Sequence, residues 1–227
     1  MNYMKKLILT SLSIAAIVSF SACNKLDVIG DTSVESFEKV LEAAEVMEDV
    51  SFSWALIAPD GTTSFVWSMD YNKTQTYDIQ LVTEAQPFLD AGLDTNLLPG
   101  EMLIGDKIVV GRDLGSDVLV YEGEVTPLTS YEQLVKLYRD SVKYHTAMDH
   151  FGIDLGNGNV FEWAKDMSKN DKDIVYALDP QVFIEAGVDP QKVEGWVFTK
   201  VQTMDEKGKK IEVDKFIKSF DLDSKQS

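Results

Sequence analysis

The chain of 227 residues carries a formal net charge of −17, with 38 acidic side chains against 21 basic ones. So large an acidic excess repels phosphate backbones and anionic headgroups, which argues against nucleic acid as a partner and against direct binding to a membrane surface. At 44% hydrophobic and 10% aromatic residues, the chain can bury an ordinary core and is not a disordered acidic tail.

The first element is a leader. Lys5-Lys6 precedes an apolar run, Leu7 to Ser19, that is short for a membrane span, and Ser21-Ala22 supplies the small residues that a signal peptidase requires. With Cys23, the chain's single cysteine, the segment Phe20-Ser21-Ala22-Cys23 resembles the lipobox of bacterial lipoprotein signals, with phenylalanine where leucine is usual. The resemblance implies cleavage after Ala22 and lipidation of Cys23, with palmitate among its acyl chains. It also implies an extracytoplasmic protein anchored by lipid to the cell membrane or outer membrane. One cysteine allows no disulfide within the chain. Residues 1–22 are thus read as signal peptide and 23–31 as lipidated cysteine and tether.

The body reads as one pattern written twice. Asp78 to Gly100 aligns without gaps on Asp173 to Gly195, and Asp78, Ile79, Gln86, Phe88, Ala91, Gly92, Asp94 and Gly100 meet identical residues. Upstream, Phe65-x-Trp67-x-x-Asp70-x-x-Lys73 falls on Phe161-x-Trp163-x-x-Asp166-x-x-Lys169, and Ser36-Phe37-Glu38 falls on Ser130-Tyr131-Glu132. Three colinear blocks predict two homologous units of about 95 residues, near the usual size of a small domain. They are assigned to 32–125 and 126–222, with a polar tail at 223–227.

Each unit opens with a predicted helix. Thr32-x-x-Glu35 and Thr129-x-x-Glu132 have capping-box spacing. They precede runs of helical period, Phe37, Val40, Leu41, Ala44, Met47 and Leu134, Val135, Tyr138, Val142, His145. A hairpin follows, with Phe52, Trp54 and Leu56 alternating before the turn residues Ala58-Pro59-Asp60-Gly61, and Phe65, Trp67 and Met69 alternating after it. Trp67 and Trp163 are read as core. A third strand starts near Tyr77, or near Asp173, and runs into a short helix that Asp179-Pro180 announces and Gly187 ends. Further strands are expected at 102–110 and 196–201. The expected fold is α+β: two tandem homologous modules, each a long helix packed on a mostly antiparallel sheet with a short extra helix.

Candidate chemistry is sparse. His145 and His150 are the only histidines. Five residues apart on a continuous helix, they would diverge by about 140° and could not share an ion, so His145 is read as a core residue and no metal site is assigned. The glycine-rich loop from Asp154 to Asn159 offers oxygen ligands without the spacing of a calcium loop, and it is where the two units differ most. The candidate ligand-binding residues are therefore His150, Asp154, Asn157 and Asn159. The chain carries no recognisable catalytic or cofactor motif, so no catalytic residue and no cofactor is assigned. The expected function is a membrane-anchored, non-catalytic binding module for a cell-surface protein, peptide or envelope polymer. The alternative is a small-molecule or metal-ion receptor with its site between the two units, and a hydrolase using surface carboxylates is the remaining reading.

Overall fold

The structure, a computed structural model, describes residues 28–49, 52–71, 77–115, 123–146, 148–167, 172–204 and 209–222. The lipobox with Cys23 and the tail at 223–227 lie outside the described residues.

Two six-stranded antiparallel sheets hold most of the regular secondary structure among the described residues. The first contains β1 (Glu45–Asp49), β2 (Ser53–Ile57), β3 (Thr63–Ser68), β4 (Ile79–Glu84), β5 (Leu103–Ile104) and β6 (Lys107–Arg112), in the order β1-β2-β3-β4-β6-β5. The second contains β7 (Val142–His145), β8 (His150–Gly156), β9 (Asn159–Ala164), β10 (Ile174–Leu178), β11 (Val197–Met204) and β12 (Lys210–Phe220), in the order β7-β8-β9-β10-β12-β11. The two orders are the same. Of the four α-helices among the described residues, only α1 (Val28–Ala43) and α3 (Pro127–Leu137) exceed two turns, while α2 (Gln86–Asp90) and α4 (Gln181–Glu185) have five residues each.

This corrects the expected α+β architecture of long helices packed on sheets: the protein is mostly β. The error has a local cause. Met47 continues the apolar period of α1, and Val142 and His145 continue that of α3, yet the helices stop at Ala43 and Leu137. The following residues pair instead with β2 and β8, with Met47 opposite Ala55 and His145 opposite His150. Long-range strand pairing overrides a helical period that local spacing alone suggests. The caps also shift. Thr126, not Thr129, is the N-cap of α3; its hydroxyl accepts from the Thr129 N–H at 3.2 Å, while the Thr129 hydroxyl accepts from the Thr126 N–H at 2.8 Å. Pro127 stands just inside, where its missing N–H has no cost. In the first half, α1 is already helical four residues before Thr32.

The inner faces of the sheets meet through aromatic rings. Phe65 of β3 stacks on Phe161 of β9, with centroids 4.4 Å apart and planes at 4°. Trp67 and Trp163 beside them are fully buried. Burying one such side chain contributes about 1.5–3 kcal/mol. At one end, α1 and α3 join through stacked Phe37 and Tyr131, 4.1 Å apart. Each of these helices also reaches into the other half. The Trp163 indole N–H donates to Ser36 Oγ at 2.9 Å, and the Ser130 hydroxyl donates to the Ser68 carbonyl at 2.6 Å. A further tie is ionic: Lys218 Nζ of β12 donates to Asp60 Oδ2 at 2.7 Å and to Thr62 Oγ1 at 2.6 Å in the turn between β2 and β3.

At the other end, Phe88 and Phe183 pack 4.8 Å apart, and two backbone bonds cross between the halves: Asp94 N–H to Ala186 O and Asp189 N–H to Ala91 O, both 2.8 Å. Gly92 and Gly187 sit at this crossing with φ of +107° and +93°. Several identities between the two units thus hold the scaffold. Asp78 follows the same rule: its Oδ2 accepts the Leu114 N–H at 2.7 Å, as Asp173 Oδ2 accepts the Leu222 N–H at 2.6 Å.

Candidate functional site

The hairpin of β7 and β8 places His145 directly opposite His150. They are cross-strand neighbours, which corrects the divergent pair expected on a helix. His145 Nδ1 lies 3.1 Å from Glu162 Oε1, both side chains being almost fully buried, and His150 Nε2 is 2.7 Å from the Lys172 carbonyl. Among the described residues no group of three histidine, cysteine or acidic side chains is placed to hold a metal ion.

The other sequence candidates serve the tip of the next hairpin. Asp154 Oδ1 accepts the Gly156 N–H at 2.9 Å. Asn157 occupies a left-handed turn position, φ +52°, and is exposed. Asn159 is buried; its Nδ2 donates to Gly156 O at 3.0 Å and its Oδ1 accepts the Asp179 N–H at 2.9 Å, tying the turn to the end of β10. His150 opens β8 and Asn157 lies beyond its far end, a separation of about 20 Å for a strand of that length. The four residues do not converge on one site.

Two surface depressions lie elsewhere, at the junction of the halves. A groove of about 720 Å³ runs between α1 and α3, with Asp31, Val34 and Glu35 on one wall and Glu132, Lys136 and Arg139 on the other. A second cleft of about 390 Å³ is formed by Arg112, Asp113 and Leu114 at the end of β6 and by Tyr138, Arg139 and Ser141 beyond α3. Arg139 lines both.

Arg112 shapes the second cleft. Its stem leaves the first sheet and packs against Gly156 of the second, where an added Cβ would sit 3.7 Å from Arg112 Cβ and Cδ. Its Nη2 then donates to Ser141 Oγ at 2.7 Å. The Nε group is buried and has no hydrogen-bond partner among the described residues. The halves part company here: Arg112 pairs with Ile79, whereas the matching Ile174 pairs with Phe220.

Asp113, next along the chain, is turned to other partners. Its Oδ1 accepts the Gly115 N–H at 2.7 Å, and its carboxyl meets that of Asp78. Burial, together with the Asp113 carboxyl, raises Asp78 to about 6. The Tyr138 hydroxyl donates to the Gly115 carbonyl at the rim. No motif marks either arginine in the sequence, and their rarity is the one signal: they are the only two in the chain.

No family model, curated protein or solved structure matches the chain. The functional reading therefore rests on the residues and their geometry.

Proposed function

We propose that the protein is a lipid-anchored, extracytoplasmic binding module that engages a protein, peptide or envelope polymer without catalysis. One observation supports this above others. The space between the two sheets is filled by the Phe65–Phe161 and Phe88–Phe183 ring pairs, while the groove over α1 and α3 is open and carries charges of both signs around Val34. Such a mixed polar and apolar surface is typical of contacts between macromolecules.

The anchor gives the groove a setting. α1 begins five residues after Cys23, so the start of the helix lies within about 18 Å of the lipidated cysteine. A partner seated there meets the module close to the bilayer.

The test is made in intact cells expressing the full chain. Incorporation of a palmitate analogue is expected in the wild type and absent in Cys23→Ser. A photo-crosslinking residue at Val34 is expected to give a discrete adduct that the same residue at Lys200 does not. Unlabelled wild-type protein would remove the anchor, and equal adducts from both positions would remove the groove.

A further inference from the structure

The chain uses lysine at every basic position except two, and those two, Arg112 and Arg139, line the same cleft. Lysine suffices to solvate an acidic surface. A guanidinium differs in presenting a rigid fork of donors that fits a carboxylate or phosphate with two parallel bonds. The two arginines come from different halves, at the end of β6 and just beyond α3, so only the folded chain brings them together.

Asp113 and Asp140 share the lining of the cleft with the two arginines. Among the described residues neither guanidinium forms an ion pair, and the Arg139 side chain makes no hydrogen bond, its backbone carbonyl alone accepting the Val142 N–H. Asp113 is occupied by the Gly115 N–H and the Asp78 carboxyl. Arg112 is held in place by Gly156 and Ser141 while its buried Nε donor stays unused. The volume, about 390 Å³, falls within the range of small-ligand sites.

We infer that this cleft binds an oxyanion group, a carboxylate or a phosphate, of the ligand, with Arg112 as the pre-positioned donor and Arg139 as the second cation. The inference rests on the binding-module reading but needs neither the anchor nor the groove, so the two can fail separately.

Titration calorimetry on the full chain in detergent tests it, with inorganic phosphate, glucose 1-phosphate, glucuronate and acetate as probes and glucose as the neutral control. At least one anion should bind saturably and more weakly as salt is raised. Saturation by the phosphates or by the carboxylates tells which source the site accepts. Arg139→Gln should weaken binding tenfold or more, and so should Arg112→Lys, which keeps the charge and loses the fork. Lys107→Ala, away from the cleft, should leave binding unchanged. Because the Arg139 side chain bonds to nothing among the described residues, its variant tests the site even if the Arg112 variant fails to fold. No saturable binding, equal binding of glucose, or a change below threefold in Arg139→Gln would overturn the inference.

Discussion

At the scale of single residues, the buried Asp78 makes a prediction with a sign. Asp78 is raised from 3.8 to about 6 by burial and by the Asp113 carboxyl. The native state therefore binds a proton that the unfolded chain has released between those two values, and stability from this pair falls as pH rises through that window. Urea midpoints at pH 5, 6 and 7 should decline less in Asp113→Asn than in the wild type, because the amide removes the like charge. Parallel profiles would show that Asp113 does not set the shift. Asp60 behaves in the opposite sense. Burial opposes its charge, but Lys218 and the Thr62 groups outweigh it and hold the carboxyl below its ordinary value. Its contribution is lost only as pH falls through that lowered range.

At the scale of elements, the crossing of the two short-helix turns brings the backbones of the halves into direct hydrogen-bond contact. Gly92 has φ of +107°, which L side chains rarely adopt, and a Cβ there would lie 3.0 Å from the Gly187 carbonyl oxygen. Gly92→Ala should cost about 1–3 kcal/mol. Gly100→Ala, at a site with open space around it, should stay within about 0.5 kcal/mol. Denaturant titration of the two variants checks the contrast, and equal losses would mean that the crossing is not strained. Elements defined by local chemistry were legible in the sequence. The β2–β3 hairpin around Pro59-Asp60-Gly61 and the short helix closed by Gly187 both stand where turn and cap residues put them. Elements defined by a distant partner were not. β1 and β7 continue a helical period, and the eleven-residue β12 alternates charged and apolar residues from Lys210 to Asp214 before its buried Lys215 and Phe216, with burial that depends on β10 and β11.

At the scale of the whole molecule, one core spans both sheets. Phe161 stacks on Phe65 of the opposite sheet, and α1 and α3 each bond to the other half. Truncating Phe161 to alanine should therefore destabilise the protein by about 3–5 kcal/mol and leave a single calorimetric transition. Two resolved transitions, only one of them lowered, would show that the halves unfold independently. The candidate site also belongs to this scale. The glycine-rich loop is polar and suits left-handed turns, yet its Asn159 bonds to Gly156 in the turn and to Asp179 beyond β10. The arginines are 27 positions apart and sit in no motif, so no local pattern links them.

By itself the sequence determined what depends on neighbouring residues or on totals: the acidic charge, the lipobox resemblance, the hairpin turns, the glycine positions and the paired blocks. Tertiary structure alone decided which apolar runs became strands, since a backbone N–H takes whichever acceptor the fold presents. It alone also brought Arg112 and Arg139 to one cleft. Distance in space between residues far apart in sequence is set by the packed core, and no local pattern records it.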